Sequence, residues 1–586
     1  MSESSQRRSE EFLKISGQFK LGALVTEASH PVTADLSEVA QRDIATALKL
    51  LFDADDDVVK TFRTFVASGR ADEIKETIRR ALKNGGRIFF TGCGSTGRLS
   101  ILLDSVWRDF WQRRKNSDLE NRTFSVMAGG DYALIKSVEG FEDFTAFGKK
   151  QINDLGVSER DVVFAITEGG ETSFVIGTAW AGVEAGAKVY FVYNNPDEIL
   201  CEHVERSREV IQDARIEKIN LTTGPMAITG STRMQATSIQ LCALLTVMEM
   251  VVRELLGENS AGVPENILAG LTELHANLKS PDTLAPLAKL VALEESVYRA
   301  GGKNNYFADW LGIDVLTDTT ERSPTYCTPP FRKFADATAT ESWAFLFLPC
   351  AETPAAWRQI IRREPRCVEW SEAEARDLVT EDKLSRTLET IRKISRAELL
   401  RFRIGLDGAN NRQLGRGDSA VAIVADGEDG AFQLGQLAAA HAASAKTGLI
   451  SFGNSKLQTQ NLKLESAFIP VPENHFHLDI LTRVAAKLTL NALSTCTMVR
   501  LGRVLGNYMI WVVPSNLKLI DRATRYVTKL TGLDYAAANA LLFEIIEYVE
   551  PRMKADQAYP PVVGMAVTRV RRNCTNAEAE RFLQAQ

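Results

Sequence analysis

Short apolar runs alternate with helical stretches from residue 88 to residue 221. The candidate strands are Ile88–Thr91, Phe124–Ala128, Val162–Thr167, Val189–Tyr193 and Ile216–Leu221, the last interrupted by Glu217, Lys218 and Asn220, and Phe174–Ala185 is one of the helical stretches between them. Short, continuously apolar runs predict strands buried on both faces, and alternation with helices predicts a parallel sheet covered on either side. The alternation resumes at Val297–Ala300, Ile313–Leu316, Ala344–Leu348, Ala420–Val424 and Leu449–Phe452. The expected class is α/β: two domains, each a parallel sheet flanked by helices, with helical N- and C-terminal segments. The expected boundaries are a helical segment over 1–85, whose first 35 residues read as polar and loosely ordered, a sheet domain over 86–258, a helical linker over 259–295, a second sheet domain over 296–515, and a helical segment over 516–586.

A chain of 586 residues has room for two or more domains. Its net charge of −6 gives no basic footprint for nucleic acid. The start, Met1 to Arg8, has no apolar core of a secretory signal. Ala236–Val252 is apolar but carries Gln240 and Glu249, so it reads as a buried helix too short and too polar to span a bilayer. The eight cysteines form no CxxC pair, which suits reduced core cysteines and a cytoplasmic protein. His475-Phe476-His477 is the tightest histidine spacing, with no Cys or carboxylate cluster beside it, so no metal and no cofactor are expected.

The chemistry concentrates in loops. After the first strand comes Gly92-Cys93-Gly94-Ser95-Thr96-Gly97 and then a helix. Such a turn aims backbone N–H groups, two hydroxyls and a helix dipole at one spot, where an anion binds. The spacing also fits GxGxxG, but a dinucleotide fold wants an acid at the end of the second strand, about 20 residues on. Here Asp131 comes 39 residues after Gly92, and the hydroxyls of Ser95 and Thr96 suit a terminal phosphate. A second such turn is Ile166-Thr167-Glu168-Gly169-Gly170-Glu171-Thr172-Ser173, where Thr172 or Ser173 could equally be a helix cap. A third is Thr229-Gly230-Ser231-Thr232-Arg233, whose hydroxyls could cap the next helix and whose arginine could meet an anion or a carboxylate. Ala128–Asp131 and the acidic loop Val138–Asp143 complete the set. Thr232-Arg233 recurs as Thr482-Arg483, 250 positions later, each near a long apolar helix, which hints at a duplicated domain.

These blocks, in this order, resemble the sugar isomerase (SIS) domain, and more narrowly the N-acetylmuramic acid 6-phosphate etherases and glucokinase regulatory proteins. The matching runs are Gly92–Leu99, Ala128–Asp143, Gly224–Arg233, and a late block of Lys487–Thr495, Met498–Asn507 and Ser515–Leu519. Two such domains in one chain with a helical tail are similar to the regulatory proteins. The resemblance implies that Gly94, Ser95 and Thr96 hold a phosphate, with Thr167, Gly169, Ser231 and Thr232 around the sugar. It implies that Glu142 matches the etherase base, or a sugar contact in the regulators, and that Lys487 reaches the same site from the second half.

The departures point away from etherase chemistry, which needs a second carboxylate. The matching position is Val106; Asp104 or Asp109 on the same helix are the available substitutes. Glu168 and Glu171 add acids where the etherases have small residues and an arginine, and would repel a lactyl carboxylate or select another sugar. In the second half, Gly301-Gly302-Lys303-Asn304-Asn305 is read as the counterpart of the phosphate loop, and it lacks the hydroxyl pair. The expectation is one complete site per chain for a hexose or amino-sugar 6-phosphate, in a sensor or regulator of sugar-phosphate metabolism. The alternative is a sugar-phosphate lyase or isomerase, with Glu142 catalytic. A sugar kinase is a candidate partner of a regulator, and a monomer with an internal pseudo-dimer is the expected assembly; neither nucleic acid nor membrane is expected.

Overall fold

The computed structural model describes residues 2–584 apart from 18–20, 139, 455, 458–462, 515 and 555–558. Glu139 of the acidic loop and Ser515 of the late block therefore lie outside the described residues.

The first residues are more ordered than their polarity suggests. Helix α1 (Glu3–Ser16) buries Phe12 against Phe543 of the C-terminal segment, ring centroids 6.1 Å apart. Further helices run to Lys83. All five strands expected in the first half then form: β1 (Ile88–Gly92), β2 (Thr123–Met127), β3 (Val162–Ile166), β4 (Lys188–Tyr193) and β5 (Ile216–Asn220). They are parallel throughout, in the order β2-β1-β3-β4-β5. Every residue of β1 and β3 is buried, as continuously apolar runs require. Helix α2 (Gly94–Arg113) follows β1, and α3 (Ser173–Glu184) follows the loop after β3. Helix α4 (Gln235–Leu255) contains the apolar stretch; at 21 residues it is long enough to cross a bilayer, yet its apolar window is wholly buried inside the protein.

The second half repeats the plan. Strands β6 (Asn304–Phe307), β7 (Ala344–Phe347), β8 (Ser419–Ala425), β9 (Lys446–Gly453) and β10 (Glu465–Pro470) form a parallel sheet in the order β10-β9-β8-β6-β7. Read from the other edge, this is the order of the first sheet. Helix α5 (Gly312–Tyr326) follows β6; α6 (Ile480–Arg500), also 21 residues long, is the counterpart of α4; α7 (Leu517–Thr531) opens the C-terminal helices. Helix α6 packs against both α4 and α5.

Two expected strands are helical. Val297–Ala300 ends the helix Pro281–Arg299, and Ile313–Leu316 lies in the first turns of α5. An apolar run of four fits one helical turn as well as a strand, and length alone could not separate them. The strand that does form, β6, begins with two asparagines. Both are buried, and their amides are satisfied by Glu294 (2.8 Å) and by the Arg412 carbonyl (3.2 Å). Gly301–Asn305 therefore leads into β6 and supplies its first two residues, so it is not the phosphate-loop counterpart; that place, after the strand, belongs to Ala308–Leu311. Met509–Val513 is not a strand beyond Tyr508–Met509, which pairs with Val504–Leu505.

Candidate functional site

In an open parallel sheet, ligands bind beyond the carboxyl ends of the strands where the strand order reverses. Here that point lies between β1 and β3, so the loops Gly92–Ser95 and Thr167–Thr172 face the same crevice. The first turn is tight. A Cβ on Gly92 would lie 2.4 Å from the carbonyl carbon of Thr96, and Gly94 holds φ +56°, a region L side chains avoid. The N-terminus of α2 can thus sit directly over the end of β1.

The two hydroxyls divide their work. Thr96 is buried; its Oγ1 accepts from the Cys93 N–H (3.1 Å) and donates to the Cys93 carbonyl (2.9 Å), so it braces the turn. Ser95 is half-buried and faces a small cavity between the two halves of the chain. Lys487 of α6 and Glu321 of α5 line that cavity with it, so the two halves of the chain share one space. The Lys487 Nζ donates to the Arg233 carbonyl (2.7 Å). Burial pushes the Lys487 pKa down, against the pull of Glu321.

The other expected residues are placed less directly. Thr167 is buried, and its hydroxyl donates to Thr172 (3.2 Å); the Gly169 carbonyl accepts from the Asn195 amide (3.0 Å). Thr172 occupies the N-cap position of α3 without a side-chain cap bond, its oxygen serving Thr167 instead. Neither Ser231 nor Thr232 caps α4, which begins at Gln235; the Thr232 carbonyl accepts from the Thr237 hydroxyl (2.8 Å). Arg233 meets a carboxylate, Asp318, at 3.4 Å across the two halves, and donates to Ser494 (2.7 Å).

Glu142 is half-buried and 3.6 Å from Lys518 of α7. Lys518 also pairs with Glu171 (2.5 Å), which Arg206 holds from the other side (2.9 Å). Burial alone would raise the Glu171 pKa, but these two cations outweigh it and hold the carboxyl at about 2. Glu168 has no such partner: burial pushes it up to about 7, with Lys518 opposing and Glu321 and Glu142 adding repulsion. Sequence reasoning assigned Lys518 no role, because one lysine in a polar stretch looks like surface. Glu321 was legible in principle: Asp314, Asp318 and Glu321 form a polar stripe one helical turn apart on a core helix.

The carboxylates on α2 are committed elsewhere. Burial would raise Asp104, but Arg108, Arg363 and Arg366 outweigh it and hold it at about 2. Asp109 pairs with Arg362 (3.0 Å) and Arg113 (3.2 Å). Val106 is buried, and at 1.5 Å per residue it lies about 16 Å along the helix from Ser95. In the second half the equivalent loop holds a carboxylate of its own. Glu428 accepts from the N–H groups of Trp310 in that loop (3.1 Å) and of Ala425 at the end of β8 (2.6 Å), so a carboxylate already engages these two donors. Among the described residues no group of three or more His, Cys, Asp and Glu side chains is arranged to hold a metal ion.

Residues 71–181, from the helix before β1 into α3, match the glucokinase regulatory protein N-terminal SIS domain. N-acetylmuramic acid 6-phosphate etherase of Yersinia pestis (strain Pestoides F) is 30% identical over 220 residues, 38% of this chain and 68% of that protein. The chain belongs to the SIS-domain family. Its tandem arrangement is seen in the two sheets of identical order. Two solved structures align with this SIS-domain protein over most of its length. One is the C-terminal domain of glucosamine-fructose-6-phosphate aminotransferase from Francisella tularensis: 12% identity, TM-score 0.43, 78% of this chain and 96% of that one. The other is tagatose-6-phosphate ketose/aldose isomerase from Escherichia coli: 10% identity, TM-score 0.44, 79% and 96%.

Proposed function

We propose that this protein binds a sugar phosphate and acts as a sensor or regulator of sugar-phosphate metabolism, in the manner of the glucokinase regulatory proteins. The observation that carries the reading is that Ser95, at the N-terminus of α2, and Lys487, from the other half, line one cavity. A helix N-terminus, a free hydroxyl and a lysine together suit a phosphate dianion. The ligand would then tie the halves together. Against etherase chemistry stand Val106 in the core and Asp104 and Asp109 in ion pairs.

A lyase or isomerase is the second reading, and Glu168 favours it. A carboxyl with a pKa near 7 beside the paired carboxylate Glu142 has the tuning of a general acid–base couple. Incubation with muramic, glucosamine and fructose 6-phosphates, followed by proton NMR and thermal denaturation, separates the two. The binding reading expects a raised melting temperature without turnover, lost in Ser95→Ala and weakened in Lys487→Ala. Turnover at an enzymatic rate would replace it with the second reading.

A further inference from the structure

We infer that Trp370, in the second half of the chain, is a positioning residue for Glu142: it holds the acidic loop through Phe141 and so sets where the Glu142 carboxylate stands over the sugar. The inference rests on the sugar-phosphate reading, in which Glu142 meets the sugar, and adds a residue from the other half to that site.

Glu142 belongs to the crevice by its own contacts. Its carbonyl accepts from the Phe174 N–H (3.0 Å) in the first turn of α3, directly after the loop Thr167–Thr172. Its carboxylate lies 3.6 Å from Lys518, which also holds Glu171 of that loop. Yet residues 140–144 form neither helix nor strand. Their anchor is Phe141, which is buried. Gly140 turns the chain with φ +87°, and the Phe141 ring then stacks on Trp370, centroids 5.8 Å apart and planes at 21°. Phe147 completes the cluster, 4.7 Å from Phe141 and edge-on to Trp370 at 5.5 Å. Phe141 and Glu142 are consecutive, so a shift of the ring carries the carboxylate with it.

Trp370 itself is fixed from two sides. Its Nε1 donates to Asp154 (2.9 Å), just past the helix Thr145–Asn153. The chain before it is strapped to the loop after β2. The Asp131 N–H donates to the Arg366 carbonyl (2.9 Å), the Arg366 N–H donates to the Asp131 carboxylate (2.6 Å), and Gly130 pairs with Cys367. The approach is close: a Cβ on Gly130 would lie 2.9 Å from the Arg366 carbonyl oxygen. None of these backbone ties uses the indole. Removing the ring therefore leaves the strap attached and takes away the surface on which Phe141 stacks. A binding group held by packing of this kind loses its geometry when the support goes.

The experiment is calorimetric titration of the full chain, Trp370→Ala, Glu142→Gln and the double variant with fructose 6-phosphate and glucosamine 6-phosphate. Inorganic phosphate is the reference anion, and circular dichroism checks folding. Trp370→Ala should weaken the sugar phosphate that the parent binds by about tenfold, the worth of one hydrogen bond to a charged group, and leave inorganic phosphate within about twofold. Adding Glu142→Gln should cost nothing further, because one residue acts through the other. Trp370→Phe, which keeps a ring against Phe141, should recover most of the loss. Trp370→Leu carries the same cycle if the alanine variant does not fold. Unchanged affinity, losses that add in the double variant, or equal losses for sugar phosphate and inorganic phosphate would overturn the inference and leave the sugar-phosphate reading standing. Failure of the parent to bind either sugar phosphate would overturn both.

Discussion

Arg363 of the second half is ion-paired with Asp104 of the first, 3.1 Å apart, and both side chains are almost wholly buried. The same guanidinium reaches Asp131 at 2.6 Å, and Asp104 also accepts from Thr123 (2.7 Å) and Ser125 (3.0 Å). Removing one member of such a network leaves a buried charge uncompensated. Arg363→Met should cost about 3–5 kcal/mol in urea denaturation. A loss below about 1 kcal/mol, the range of exposed pairs, would contradict this placement.

The Asp104 carboxyl also predicts acid sensitivity. Its pKa falls from 3.8 to about 2 on folding, so its contribution is fully present above pH 3.8 and is lost as pH falls towards 2. Asp104→Asn should flatten the stability profile over that interval, measured by thermal denaturation at a series of pH values.

Glu168 predicts the opposite slope. Its pKa rises from 4.5 to about 7 on folding, so from pH 4.5 to 7 the unfolded chain releases a proton that the folded chain keeps. Stability falls across that window and levels off above it, by about 3 kcal/mol at most. Glu168→Gln should lack this fall and be more stable than the parent at pH 8 without ligand.

Gly92→Ala would drive a methyl group into the first turn of α2, where the nearest backbone atoms are 2.4 Å away. The expected cost is about 1–3 kcal/mol, together with loss of sugar-phosphate stabilisation in thermal denaturation, because the helix N-terminus must retreat.

Glu428→Ala would strip the carboxylate from the N–H groups of Trp310 and Ala425. A loss of about 1–3 kcal/mol is expected from the unsatisfied donors, with partial recovery in sulfate greater than the parent shows. Equal salt responses would argue against an anion place in the second half.

The first sheet was legible because its central strands β1, β3 and β4 are almost continuously apolar, and the more polar edge strands β2 and β5 fall at the spacing that the alternation sets. The second was harder to read. β6 opens on buried asparagines, and the edge strand β10 begins with two exposed polar residues before buried and half-buried ones alternate, so neither shows a continuous apolar run. Loop geometry was legible where local sequence decides it, as in the tight turn from Gly92 to Ser95. It was not legible where partners lie hundreds of residues apart. Nothing near Lys518 in sequence announces Glu171, and nothing near Asp104 announces Arg363. The difference between Ser95, which faces the cavity, and Thr96, which braces its own turn, depends on which way each hydroxyl points.

The matching strand orders of the two sheets have a consequence for how many ligands one chain carries. Where two identical subunits associate, any substitution in a binding loop appears twice. In a chain that contains both copies, each loop changes alone. One loop here kept its free hydroxyl, while the other acquired Glu428 as a permanent occupant. The stoichiometry should therefore be one ligand per polypeptide, with a hyperbolic isotherm, and the second half should serve as the wall that supplies Glu321 from α5 and Lys487 from α6.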